Sequence, residues 1–282
     1  MKIQTDTKEA MKKFDGILIC TDLDGTLLRS DKTISRQNKD AINYFMENGG
    51  LFTFVTGRMP YVASSFYDEI RPNAPIGCVN GGALFDFSTD KYVWQRELDT
   101  RALEIVELVA EKTDVGIQVN TFEHIYCCRE NEGMREFFRR VNTQKLERHW
   151  RDVELPIAKV LFTETDGEKM KRLIALLSSL PQASEFDFVR SEKTIYEILP
   201  KGISKGVSVE KLCEYCGISR ERTVAVGDYD NDVEMLKTAG LGIAVENASD
   251  GAKEASDVIT VSNEDHAIAK IIHDIDCGIL KI

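Results

Sequence analysis

What the 282-residue sequence lacks narrows its function first. Positive charge is in deficit: 36 Lys and Arg stand against 47 Asp and Glu, a net charge of -11. That balance argues against nucleic acid or an anionic membrane as the main partner. It leaves room for a small anionic substrate, because a bound cation reverses the local field. No apolar run approaches the length of a membrane span. Met1 to Lys13 is polar and charged, without a signal-peptide hydrophobic segment, so a cytoplasmic location is expected. Disulfide signals are also missing. The cysteines number 7, are scattered, and fit a reducing compartment. Cys213 and Cys216 have C-x-x-C spacing but no second pair or neighbouring His, so ordinary helix packing is expected there rather than zinc. Cys127 and Cys128 point to opposite faces of a strand, which argues against a disulfide between them. His124 and His149 are isolated, and there is no internal repeat or low-complexity segment.

What is present is chemistry at strand ends. Hydrophobic content of 43% is ordinary and sufficient for a core, and the length allows one large domain or two smaller ones. Phe14 to Cys20 is an apolar run, and Gly16 to Cys20 shows no alternation, as expected of a strand covered on both faces. It delivers Asp22-Leu23-Asp24-Gly25-Thr26-Leu27. In an open α/β sheet that end of a strand is where ligands bind. Asp22 and Asp24 repel each other unless a cation or proton separates them. A hard divalent ion would do this and would also bind phosphate oxygens. One carboxylate is then placed to attack phosphorus while the other moves protons. Taken alone, the tetrapeptide reads equally well as a solvated turn.

The rest of the first half repeats the pattern. Ser35 is a candidate N-cap for a helix over Arg36 to Asn48 that ends at Gly49 and Gly50. Leu51 to Val55 is a second buried strand ending in Thr56-Gly57-Arg58, with Pro60 opening a helix. A hydroxyl, a Gly amide and a helix N-terminus make a phosphate seat. Ile76 to Val79 is a third strand, ending in Asn80-Gly81-Gly82. Near the C-terminal end, Lys205 stands at a helix N-terminus, a poor place for a cation unless an anion sits there. Thr223 to Val226 is a short strand ending in Gly227-Asp228-Tyr229-Asp230-Asn231-Asp232, a polar set that suits Mg2+.

Together these strings resemble the motifs of the haloacid dehalogenase superfamily of phosphohydrolases. Asp22-Leu23-Asp24-Gly25-Thr26 resembles its first motif, Thr56-Gly57-Arg58 its second, and Gly227-Asp228 through Asn231-Asp232, with Met235, its fourth. Asn80-Gly81-Gly82 and Pro200-Lys201-Gly202-Ile203-Ser204-Lys205-Gly206 resemble the Cof-like branch, where the chain leaves and re-enters the core. The resemblance implies an α/β fold: a Rossmann-like parallel-sheet core, residues 1–82 and 201–282, with an inserted α+β cap of type IIB at 83–200. The insert reads independently as mixed helices and hairpins, beginning with a hairpin over Ala83 to Phe87 and Tyr92 to Gln95.

The resemblance also implies roles. Asp22 is the nucleophile that forms an aspartyl-phosphate. Asp24 protonates the leaving alkoxide and then activates water, and its main-chain carbonyl binds the metal. Thr56, Gly57 and Lys205 hold the phosphoryl group, with Asn231 as helper and Lys201 as a weaker candidate than Lys205. Arg58 is open between substrate contact and loop scaffold, and Asn80 lies near the substrate. Asp22, Asp24, Asp228 and Asp232 form the Mg2+ shell. The implied activity is Mg2+-dependent hydrolysis of a small phosphomonoester such as a sugar phosphate, by a monomer or small homo-oligomer. The alternatives are a phosphomutase of the same superfamily and a non-catalytic phosphate-binding module. Intact Asp22 and Asp24 argue against the module. Tyr229, often a small residue in relatives, and Glu246, an added carboxylate for the site rim, depart from the usual pattern.

Overall fold

The computed structural model describes residues 12–141 and 143–282. The expectation for the start of the chain, residues 1–11, lies outside them. β1 (Leu18–Thr21) is fully buried but starts later than the apolar run, because Gly16 sits at φ +77° and turns the chain first. α1 (Arg36–Glu47) begins where the Ser35 side chain accepts from the Asn38 amide. β2 (Leu51–Phe54) leads into α2 (Pro60–Ile70), with Pro in its first turn. Next come β3 (Ile76–Cys78), β4 (Ala83–Asp86), β5 (Lys91–Gln95), α3 (Ala102–Lys112), β6 (Gly116–Thr121), β7 (Ile125–Arg129), α4 (Glu132–Val141), β8 (Leu146–Glu147), β9 (Ile157–Thr163), α5 (Gly167–Ser178), β10 (Phe186–Glu192) and β11 (Ile195–Pro200). The chain closes with α6 (Lys205–Cys216), β12 (Thr223–Gly227), α7 (Val233–Thr238), β13 (Leu241–Ala244), α8 (Asp250–Ala255), β14 (Val258–Ile259) and α9 (Ala267–Asp276).

The first sheet is parallel, in the order β14-β13-β12-β1-β2. The chain steps outward from β1 to β2, then returns on the other side of β1 as β12. The strand order therefore reverses between β1 and β12, and in such sheets the crevice beyond the strand ends at the reversal receives ligands. Asp22 and Asp228 are the residues that follow these two strands. β3 reaches this sheet through a single bridge from Val55 to Gly77.

The hairpin β4–β5, assigned to the insert on sequence, pairs antiparallel with β3. Its Leu84, Phe85 and Trp94 pack with the cluster that contains Leu18, Phe52 and Val226. A separate hydrophobic cluster starts at Leu98 and includes Ile105, Val119, Tyr126 and Phe162. The change of core therefore falls between Gln95 and Leu98 rather than at Ala83. An antiparallel hairpin has the same local signature in either place, and only its pairing with β3 assigns it.

The second sheet has the order β10-β11-β9-β6-β7-β8 and is antiparallel except between β7 and β8. Its strands alternate. Ile117, Val119, Val160, Phe162, Tyr196 and Ile198 face the cluster built with α3 and α5. Gln118, Asn120, Lys159, Leu161, Ile195 and Glu197 line a cavity on the other face. α4 packs Met134 against Leu161 and Ile195 at the edge of that face. Among the described residues no helix is long and apolar enough to cross a membrane.

Phe162 is fully buried in the second cluster. Phe162→Ala is expected to cost about 3–5 kcal/mol of unfolding free energy through lost transfer and a residual cavity. Urea unfolding followed by circular dichroism measures this, and a cost under about 1 kcal/mol would contradict the packing described.

Candidate active site

Lys205, the first residue of α6, is buried between two carboxylates. Its Nζ lies 2.6 Å from Asp22 Oδ1 and 2.6 Å from Asp232 Oδ1. Burial disfavours the ammonium, but Asp22 and Asp232 more than compensate and hold its pKa above the ordinary value. This is the anion that the Lys at a helix start calls for. Lys201, by contrast, is exposed and bonds Asp187.

Asp232 commits both oxygens. Oδ1 takes Lys205, and Oδ2 accepts the backbone N–H groups of Asp228 and Tyr229 at 2.9 and 3.0 Å. It thereby fixes the loop after β12. Asp228 accepts from the Thr26 hydroxyl at 2.8 Å, so the loops after β1 and β12 are tied directly. Gly25 makes this approach possible. Its φ is +88°, and a Cβ there would stand 2.5 Å from Asp228 Oδ2.

Oxygens of Asp22, Asp228 and Asp232 all lie within 4.8 Å of one another. Burial, and then the neighbouring carboxylates against the opposing pull of Lys205, raise Asp22 well above the usual carboxylate range. Burial and Asp232 push Asp228 up to about 7. Three carboxylates against one ammonium leave uncompensated negative charge in a buried place. An all-oxygen donor set of this kind fits a hard divalent cation such as Mg2+. Asp22 and Asp228 are the better placed to hold it, since Asp232 commits both oxygens to hydrogen bonds.

Asp24 is arranged differently. Arg58 donates to it twice, Nε to Oδ2 at 2.7 Å and Nη2 to Oδ1 at 2.9 Å, and Lys32 Nζ adds a third bond at 2.9 Å. Burial alone would raise its pKa, but Arg58 and then Lys32 hold it well below the usual carboxylate range. Arg58 thus pairs with Asp24 and also lines the cavity described next. Lys32 was not among the sequence candidates; it sits in the polar loop after Leu28, where nothing local marks it.

Asp22, Asp24, Thr56, Gly57, Arg58, Lys205, Asp228 and Asn231 line one cavity of about 300 Å³. Asp232 and Asn80 stand behind this wall. Asn80 adopts left-handed backbone at φ +53°, where Asn is tolerated better than most residues. It donates to Glu197 Oε1 at 3.0 Å and accepts from Asn231 Nδ2 at 3.0 Å. Tyr229 lines the cavity with the neighbouring acidic groups in place. Glu246 is exposed and is not part of the wall.

The opposite wall comes from the second sheet and was missed on sequence. Lys159 Nζ donates to Glu197 Oε2 at 2.5 Å and to the main-chain oxygen of Gly57 at 2.9 Å. Gln118 Nε2 donates to Asn120 Oδ1 at 2.7 Å. The available signal was a polar residue inside an otherwise apolar strand: Lys159 in Ile157–Thr163, Glu197 in Ile195–Pro200, and Gln118 and Asn120 in Gly116–Thr121.

Asp232→Asn places an amide where Lys205 and two backbone N–H groups now find acceptors. Breaking this buried set is expected to cost about 3–5 kcal/mol. Chemical denaturation is the check, and a loss under about 1 kcal/mol would show that Asp232 does not organise the loop.

The family model described as haloacid dehalogenase-like hydrolase matches residues 19–272. The 5-amino-6-(5-phospho-D-ribitylamino)uracil phosphatase YitU of Bacillus subtilis is 30% identical, covering 91% of this chain and 96% of that protein. The pyridoxal phosphate phosphatase YbhA of Escherichia coli is 28% identical, covering 91% and 97%. The subclass IIB sugar phosphatase BT4131 shares the fold with a TM-score of 0.81 at 21% identity, over 94% of this chain and 100% of that one. A parallel sheet that places Asp22 and Asp228 at its switch point, under a second sheet inserted between β5 and α6, is the form this fold takes here, and the chain belongs to the haloacid dehalogenase-like hydrolases, in the Cof-like branch with a type IIB cap.

Proposed function

We propose that this chain is a Mg2+-dependent phosphatase that hydrolyses a small phosphomonoester through an aspartyl-phosphate on Asp22. Its family and its phosphatase relatives make it a phosphoric monoester hydrolase. The observation that carries the finer reading is Asp22 itself. It stands at the sheet's switch point, on the wall of a cavity that core and insert share, with Oδ1 held by Lys205. That bond fixes the carboxylate's orientation and leaves Oδ2 to attack phosphorus.

The chemistry divides among the chain's own groups. Asp22 Oδ2 forms a bond to phosphorus as the ester P–O bond breaks. Thr56 and Lys205 are the donors for the phosphoryl oxygens, and the amide of Asn231 adds another. A water then attacks phosphorus, gives its proton to Asp24, and inorganic phosphate leaves with Asp22 restored. Asp24 is ionised as it stands against Arg58 and Lys32, which suits the base role. For the acid role its carboxyl turns from Arg58 and takes a proton from solvent, gives that proton to the leaving alkoxide as the ester P–O bond breaks, and is then the carboxylate that accepts the proton of the attacking water. Asp22 and Asp228, with the main-chain carbonyl of Asp24, would hold Mg2+, which would supply positive charge against the carboxylates and the substrate's phosphoryl oxygens.

The insert, from about Leu98 to Pro200, forms the cap. A cavity walled on both sides favours small soluble esters over phosphorylated protein surfaces. A sugar phosphate fits this description, as do the phosphorylated ribityl compound and pyridoxal phosphate named for the two relatives.

Asp22→Asn is expected to lower kcat on p-nitrophenyl phosphate by at least ~10^3-fold while the melting temperature holds or rises. The rise follows because removing one of three clustered carboxylates relieves repulsion. Near-normal kcat in this variant would remove Asp22 as nucleophile. Turnover is also expected to vanish in excess EDTA and return with excess Mg2+. Full activity in chelator would refute the metal requirement.

A further inference from the structure

We propose that Gln118 and Asn120 read the leaving group of the ester, and that this group is neutral and carries a hydrogen-bond donor beside an acceptor. A pair of sugar-alcohol hydroxyls offers such an edge, and so does the N–H and C=O of a lactam. The inference rests on the phosphatase reading above and concerns the cap's wall of the same cavity.

Gln118 is fully buried, lines the cavity, and among the described residues has no hydrogen-bond partner for its Oε1. Buried amide oxygens are rarely left this way, because the group loses water and gains nothing. Its Nε2 is already spent on Asn120 Oδ1. Among the described residues nothing accepts from Asn120 Nδ2, and Asn120 also lines the cavity. The pair thus offers an unused acceptor next to an unused donor. Rotating both amides by half a turn exchanges the two roles and still leaves one of each. A ligand that answers both must itself carry a donor and an acceptor side by side.

The charges of the same wall exclude an anionic leaving group. Lys159 is neutralised by Glu197, and Arg140 is held by Glu192 through two bonds of 2.7 Å. The remaining cap cation of the wall, Lys193, is exposed. A carboxylate leaving group would find Glu197 and Glu192 there with no buried unpaired cation to meet it. An apolar leaving group would strand both amides. Neutral and polar is the class that remains.

The test uses the full chain with Mg2+. Probes are uridine 5′-monophosphate, its N3-methyl derivative, D-ribitol 5-phosphate and 3-phosphoglycerate, with p-nitrophenyl phosphate as reference. For the wild type, kcat/KM on ribitol phosphate or uridine monophosphate is expected to exceed that on 3-phosphoglycerate by about tenfold or more. N3-methylation separates the two sources: it lowers kcat/KM only if a lactam edge is read. In Gln118→Met and in Asn120→Leu, both near-isosteric, the preference of the best probe over p-nitrophenyl phosphate is expected to fall about 10- to 100-fold. An unchanged preference in both variants overturns the inference. So does an equal loss on every ester, which a structural role would give, and so does a wild-type preference for 3-phosphoglycerate. If the wild type hydrolyses no ester, p-nitrophenyl phosphate included, the phosphatase reading itself fails, and this inference with it.

Discussion

The site depends on one buried ammonium. Lys205 touches Asp22, which follows β1, and Asp232, which precedes α7. It therefore joins the loops of two neighbouring strands that lie far apart in sequence. Burying an ion pair is costly, and the cost is recovered only when every oxygen and proton has a partner. Asp232 meets that condition fully, because its second oxygen takes two backbone amides. Asp22 and Asp228 do not, since each has an oxygen that the hydrogen bonds described leave over. The fold is thus electrostatically complete on the side of Asp232 and incomplete toward the cavity. Incompleteness of that sign at a strand switch point is what a cation and a phosphoryl group together relieve.

The same economy of contacts governs how the second sheet sits over the first. The turn from β3 into the hairpin β4–β5 runs through Val79, Asn80 and Gly81, all with positive φ. For a β-branched residue such as Val79 that backbone is strained, and the surrounding contacts must hold it. Gly81 is required outright: a Cβ there would stand 1.8 Å from the main-chain oxygen of Ser204. This turn and the segment returning from the second sheet therefore touch at Ser204, one residue before Lys205. Asn80 bonds Glu197, and Lys159 bonds the carbonyl of Gly57. These bonds set the polar face of the cap sheet directly opposite the residues that follow β2.

How far this was legible in the sequence follows from the range of the forces. The parallel core was readable because strands buried on both faces have no alternation, and because motifs with unusual charge stand at their ends. Ser35 and Pro60 gave element positions through local chemistry alone. Asp24 and Arg58 were visible as charged residues, yet their mutual pairing was not, since the two lie on different loops brought together only by the pairing of β1 with β2. The hairpin β4–β5 was found but assigned to the wrong core, because membership depends on pairing with β3 and not on the hairpin's own residues. Lys32 carried no local mark.

The cap face is the more instructive omission. In a sheet with one wet side, alternating polar residues signal solvent, and in sequence Gln118, Asn120, Lys159 and Glu197 carry only that signal. In the folded chain none of them is more than 4% exposed. A face that is polar and buried is neither a solvent face nor a packing face. Lys159 and Glu197 answer each other and the core, so their burial is explained by the docking of the two sheets. Gln118 and Asn120 answer each other only in part. Desolvating such groups without partners costs free energy that selection for stability alone would remove by making them apolar. Their persistence in a wall that otherwise carries Leu161, Ile195 and Phe137 is explained by what they meet when the cavity is filled.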